Sequence, residues 1–272
     1  SNLYWRRGQD MYEYIRNKPE IYRNMHIGNN VGAEVNGTYH SGLGSTGLGV
    51  ELRKEFLASN NLGHRERFVS QIFLEHHFSF FQNKLNISPG ISWAHYAEEG
   101  NFFYPGLDVG YDFSEHHKIY GNIAKVNRIP TFTDLFYVSR TEVGNPLLKP
   151  EHALSAELGY RFHKNNFLGK ISGFMRNSDD SIDWVKQNAN DIWKAENIGQ
   201  IDTKGIEVEI SQNFNSVLKS YSVGYTFLDS KNRQPLNLIS RYVMENLKHQ
   251  FVVKLETEFF KNFSNQLIYR YN

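Results

Sequence analysis

The sequence predicts an all-β protein, an antiparallel up-and-down sheet of the transmembrane β-barrel type. Three observations carry the prediction. Apolar residues recur at every second position through most of the chain, the period of a strand rather than a helix. The longest strictly apolar runs, such as Ile72-Phe73-Leu74 and Phe251-Val252-Val253, fall far short of the ~20 residues a membrane helix requires. The connections alternate between short polar turns and longer loops, as in barrels trimmed at one end and elaborated at the other.

Taken in order, the alternation defines about twelve strands, at 24–39, 45–58, 67–81, 85–97, 102–113, 118–128, 151–163, 167–186, 196–214, 219–229, 245–260 and 263–271. In 151–163 the apolar set is Leu154, Ala156, Leu158, Tyr160 and Phe162, with Ser155, Glu157, Gly159 and Arg161 between. In 204–212, Ile206, Val208 and Ile210 alternate with Glu207, Glu209 and Ser211. In 219–229, Tyr221, Val223, Tyr225 and Phe227 alternate with Ser222, Gly224 and Thr226, and in 245–260 Phe251, Val253, Leu255 and Phe259 share a face. Short polar connections fall around Gly42-Leu43-Gly44, Gln82-Asn83-Lys84, Glu115-His116-His117, Lys164-Asn165-Asn166, Asn215-Ser216 and Lys261-Asn262. Longer ones are expected at 59–66, 129–150, 187–195 and 230–244, with the link near 98–101 again short. Strands longer than ten residues, charges paired along one face (Glu207 with Glu209, Glu51 with Arg53) and aromatics gathered near strand ends favour a membrane barrel over a soluble sandwich.

Composition agrees with this reading. The chain has 272 residues, 40% apolar and 15% aromatic, with a mean hydropathy of −0.55. Such averages describe a wall with one apolar and one polar face. Thirty basic against twenty-nine acidic residues leave +1, so nothing pulls the chain toward nucleic acid. The absence of Cys excludes disulfides, thiolate metal sites and Cys nucleophiles.

Particular strings add a family resemblance. Arg128-Ile129-Pro130-Thr131-Phe132-Thr133-Asp134-Leu135-Phe136-Tyr137 resembles a stretch of TonB-dependent outer-membrane receptors. It is followed by Gly144-Asn145-Pro146-Leu147-Leu148-Lys149-Pro150-Glu151 and a strand containing Glu157-Leu158-Gly159-Tyr160. Downstream, Asn197-Ile198-Gly199 and Gly205-Ile206-Glu207-Val208-Glu209 resemble a further strand pair of that family, and 104–111 gives weaker support. The resemblance implies a barrel of about 22 strands around an N-terminal plug that couples to the inner-membrane TonB complex. It also implies residence in the outer membrane of a Gram-negative bacterium, contact with its lipid, and uptake of a small ligand such as an iron chelate (a ferric siderophore) or cobalamin. On this reading residues 1–272 form one partial barrel domain without the plug, Ser1-Asn2 is an expression scar, and the isolated piece is either a small closed barrel or an open sheet. The rivals are a passive porin or lipid channel and a surface-exposed β-rich adhesion or binding domain.

Residue chemistry suggests where a ligand is met. The opening segment, with Tyr4, Trp5, Arg6, Arg7, Tyr12 and Tyr14, is expected to be an extracellular loop able to grip an anionic chelate by charged hydrogen bonds and stacking. Trp193 beside the 187–195 loop, and Arg233, Arg241 and Tyr242 in 230–244, are further candidates. The motif residues Arg128, Pro130, Asp134, Leu135, Gly144, Asn145, Pro146, Lys149, Pro150, Glu151, Gly205 and Glu207 are read as mostly structural. Pro130 removes an amide donor and Asp134 can cap a following turn. No metal site is expected, because adjacent strand residues such as His76 and His77 point to opposite faces. No cofactor and no catalytic group are expected either: phosphate-loop, dinucleotide, G-x-S-x-G and H-E-x-x-H motifs are absent.

Overall fold

A computed structural model describes residues 1–233, 237–242 and 247–272. The main body is a thirteen-stranded antiparallel sheet in which sequence neighbours pair. Its first seven strands are β1 (Asn2–Glu13), β2 (Arg23–Ser41), β3 (Gly44–Ser59), β4 (Gly63–Phe80), β5 (Leu85–Tyr96), β6 (Gly100–Ser114) and β7 (His117–Arg128). After the helix α1 (Phe132–Phe136) and the short β8 (Glu142–Val143), the sheet continues with β9 (Glu151–Lys164) and β10 (Phe167–Asp179). The short strands β11 (Ile182–Lys186) and β12 (Trp193–Asn197) leave the sheet, which resumes with β13 (Ile201–Asn213) and β14 (Leu218–Asn232). Beyond β15 (Ile239–Ser240), it ends in β16 (His249–Phe260) and β17 (Phe263–Tyr271). Strands β1 and β17 are its two edges and do not pair with each other, so the sheet is open.

Period two builds this wall. On β9, Leu154 and Leu158 are 44% and 66% exposed, while Ala153 and Gly159, each one position away on the opposite face, are buried. The same apolar, outward-turned face continues through Leu48, Val50 and Leu52 of β3, Ile171 and Met175 of β10, and Ile206 and Ile210 of β13. The register places Glu51 and Arg53, Glu157, and Glu207 and Glu209 on the opposite, polar face. Aromatic rings there lie flat over glycines of neighbouring strands: Tyr4 over Gly32, Tyr120 over Gly159 and Phe174 over Gly205. A side chain at any of these glycines would collide with the ring that covers it. Among the described residues no helix is long and apolar enough to cross a membrane.

One end of the sheet is closed by tight turns at 42–43, 81–84, 115–116, 165–166, 214–217 and 261–262. Asn83, Asn165 and Asn262 adopt positive φ there, a conformation Asn tolerates better than most residues. The other end carries the long connections 129–150, 180–200 and 233–248.

Several expectations need correction. The opening segment is not a loop: β1 pairs with β2 from Asn2↔Glu34 to Glu13↔Arg23, and only 14–22 turns between them. The loop expected at 59–66 shrinks to 60–62, because Ser59 Oγ accepts the amides of Asn61 and Leu62 and Gly63 takes φ +76°. The strand expected over 167–186 breaks at Asp180, which has positive φ, and its continuation becomes β11. The strand expected over 196–214 divides at Gly199, and the first part of that expected over 245–260 lies partly outside the described residues. The long connections fold into a second sheet of order β15-β11-β12-β8, in which β12 and β8 run parallel. Among the described residues there are thus seventeen strands instead of about twelve.

Candidate functional site

Much of the tightly packed apolar interior lies in the long connections. Leu148, Ile182, Trp184 and Ala195 form one buried cluster, with Leu135, Tyr137 and Trp193 packed against it. Val185, Ile198 and Ile201 form a second. Burying each large side chain contributes roughly 1.5–3 kcal/mol, enough to make these connections a folded cap.

The motif residues join cap to wall. Arg128, at the end of β7, reaches Asp134 Oδ2 at 3.3 Å and Glu151 Oε1 at 2.7 Å. Glu151, 8% exposed, also accepts the Ile182 amide at 2.5 Å, tying β9 to β11. Thr131 is the N-cap of α1: its hydroxyl accepts the Asp134 amide, while the Asp134 carboxylate accepts the Thr131 amide. Asp134 therefore works inside the helix as the reciprocal half of a capping box, not as the cap of a following turn. Pro130 is fully buried, and its carbonyl accepts from Arg67 of β4 at 2.9 Å. Arg65 and Arg67 stack beneath Phe136 and Phe132, seating α1 on the polar face of the wall. Gly144 lies against the Asp134 carbonyl, 2.8 Å from where a Cβ would stand, so only glycine fits. Leu135 packs in the cap, Asn145 Oδ1 accepts the Leu147 amide around Pro146, and the Lys149 backbone pairs with Asn197 before Pro150 leads into β9.

Beside this cap the wall forms a half-open cavity of about 570 Å³. It is lined by Tyr12, Tyr14, Tyr22, Asn24 and His26 from the β1–β2 hairpin and by Tyr137 and residues 139–142 from the strap leading into β8. Asn24 donates to the Tyr137 hydroxyl at 3.2 Å. Burial first, then the neighbouring Tyr22 hydroxyl and the Glu142 carboxylate, push the Tyr137 phenol up to about 12. Glu142 accepts from Ser139 Oγ at 3.0 Å and is paired with Arg241. That bond holds the Arg241 guanidinium above its usual range, and Arg241 also stacks on Trp193.

The structure divides the residues expected to meet a ligand. Tyr12 and Tyr14 line the cavity. Tyr4 and Arg6 share the polar face, where Tyr4 donates to Glu51 at 2.5 Å. Trp5 and Arg7 turn to the other face, and Trp5 bonds Asn29 at 3.1 Å. Strand alternation therefore prevents these four from gripping one ligand together. Trp193 and Arg241 belong to the cap, Arg233 is paired with Asp202, and Tyr242 is exposed. Tyr22 belongs to the aromatic and basic opening segment expected to meet a ligand; Asn24, His26 and Glu142 are not among the expected contacts. Tyr22 ends the turn at 14–22 and His26 follows within β2, whereas Tyr137 and Glu142 reach the cavity only through folding. Among the described residues no group of three or more His, Asp or Glu side chains is placed to hold a metal ion. His76, His77, His95 and His117 bond instead to Thr46, Ser88, Asn101 and Tyr160.

Comparison with known proteins places these features. The model of the TonB dependent receptor-like, beta-barrel family matches residues 2–271. The vitamin B12 transporter BtuB of Vibrio vulnificus is 28% identical over 140 residues, 52% of this chain and 22% of that protein. BtuB of Photobacterium profundum is 26% identical over 130 residues, 47% of this chain and 21% of that protein. Among solved structures, the siderophore receptor PirA of Pseudomonas aeruginosa superposes with TM-score 0.72 at 17% identity, covering 91% of this chain and 46% of PirA. The copper transporter OprC superposes with TM-score 0.76 at 11% identity, covering 98% of this chain and 48% of OprC. The chain thus spans about a fifth of the curated relatives and just under half of these structures.

Proposed function

From a chain that belongs to the TonB-dependent receptor-like β-barrel family, we propose the wall segment of an outer-membrane receptor that takes up a scarce nutrient, a ferric siderophore or cobalamin. The observation that carries this reading is the cavity at the long-connection end of a two-faced wall. In such barrels the apolar face meets outer-membrane lipid, the polar face lines the lumen, and the long connections lie outside the cell. Ligand held between the hairpin and the strap would then stand above the lumen, where a plug driven by the TonB complex could admit it. The vitamin B12 transporter relatives make cobalamin the first ligand to try.

The test is uptake by a strain lacking the full-length gene, supplied with vitamin B12 or with ferric siderophores such as ferric enterobactin. Complementation should restore accumulation of one of them, and dissipating the inner-membrane proton gradient should abolish it. Accumulation that survives loss of the gradient would mean a passive channel instead.

A further inference from the structure

The apolar face of the wall is not evenly filled. Across β6, β7 and β9 it carries a groove of about 320 Å³, bordered by Leu107 and Val109 of β6, Ile119 and Ile123 of β7 and Leu158 of β9. Every second residue of β7 turns to this face, and Gly121 alone among them has no side chain, so it leaves the dent. A Cβ at Gly121 would stand 3.1 Å from the Glu157 carbonyl and 3.5 Å from Leu158 Cδ1, which shows how closely β9 closes the floor. Tyr120 and Glu157 also border the groove, but their polar ends meet on the opposite face, where the hydroxyl donates to the carboxylate at 3.2 Å. Toward the long-connection end the same face of β7 changes character. Lys125 takes the next outward position after Ile123, about 7 Å on. Asn127 follows; its amide donates to the Phe103 carbonyl at 3.2 Å, and its oxygen accepts from His152 Nδ1 at 2.5 Å. Lys125 is exposed and, among the described residues, makes no ion pair or hydrogen bond.

We propose that this groove is a lipid site, seating one acyl chain of lipid A, the phosphate-bearing glycolipid of the outer leaflet, with its phosphate on Lys125. Only the placement of the long connections outside the cell is taken from the receptor reading above, and it sets Lys125 on the outer-leaflet side of the groove. The groove and the cation together have the polarity of a lipid, apolar chain below and acidic headgroup above. An unbranched chain follows Leu107, Val109, Ile119 and Ile123 without meeting an unpaired polar side chain, and it covers apolar surface that nothing else on this face fills. The Lys125 ammonium gives the phosphate a charge-assisted hydrogen bond at the depth where headgroups sit. Lys54 on the same face offers no such free charge, because Glu66 holds it at 3.0 Å.

The test titrates purified lipid A into the full-length protein in detergent and counts bound lipid by native mass spectrometry. Val109→Trp, which fills the groove from β6, should weaken binding about tenfold, the loss of two buried methylenes. Lys125→Gln should weaken it about fivefold, the worth of one cation near an anionic surface. Lys204→Gln, on the same face of β13 and three strands away, should bind as the wild type does. Equal losses for Lys204→Gln and Lys125→Gln would mean a diffuse attraction and overturn the proposal. So would unchanged binding in Val109→Trp, or a wild type that holds phosphatidylglycerol as tightly as lipid A. Nutrient uptake is scored separately in cells: a strain that takes up nothing contradicts the receptor reading, whereas lipid A binding with the pattern above still supports this site.

Discussion

Arg128 shows how much one side chain arranges at the junction of wall and cap. Its guanidinium spans Asp134 of the helix and Glu151 of the next strand, and Glu151 in turn receives the Ile182 amide. Arg128→Ala should cost about 2 kcal/mol, because it leaves the buried Glu151 carboxylate to a single donor. Amide exchange at Ile182 should rise accordingly, and unaltered protection there would contradict the bridging role. Tyr137 gives a pH-dependent prediction. Its folded pKa lies above the ordinary tyrosine value near 10. The stability it contributes is therefore complete below pH ~10 and lost as pH rises toward 12. Phenolate absorbance of wild type minus Tyr137→Phe should show that late titration, and a difference centred near 10 would contradict the burial argument. Arg128, Pro130 and Asp134 were legible in the sequence because they stand within ten positions of one another. The hydrogen bond from Asn24 to Tyr137 was not, because it joins positions 113 residues apart.

At the scale of elements, what the sequence reveals depends on what holds each element in place. Strands β9, β13 and β14 announce themselves because their own alternation matches the two faces they serve. Strand β1 does not: Arg6 and Arg7 interrupt its pattern, and pairing with β2 makes it a strand. Strands β8, β12 and β15 are too short to carry a period, and exist because the cap clusters hold their chains together. If the cap is a cooperative unit, truncating its centre should unfold it alone. Trp184→Ala should remove roughly 3–5 kcal/mol of local stability. Limited proteolysis should then cut within 180–200 while the thirteen-stranded sheet stays resistant; cleavage spread through the wall would show that the two are not separable.

Over the whole molecule, a two-faced wall explains why an average composition looks water-compatible. Leu48, Val50, Leu158, Ile171 and Ile206 stand exposed on one face, and the charges of Glu51, Arg53, Glu157 and Glu207 lie on the other. Neither face is satisfied by water alone on both sides. The central claim is that the apolar face meets lipid, and it is tested most directly by placing the same charge on each face. Leu158, near the middle of β9, turns to the apolar face; Thr226 of β14 turns to the polar face, opposite Glu207. In full-length protein folded into phospholipid vesicles, Leu158→Arg should lose about 2–4 kcal/mol of folding free energy, while Thr226→Arg should lose little. Equal losses for the two, or a greater loss for Thr226→Arg, would contradict the account.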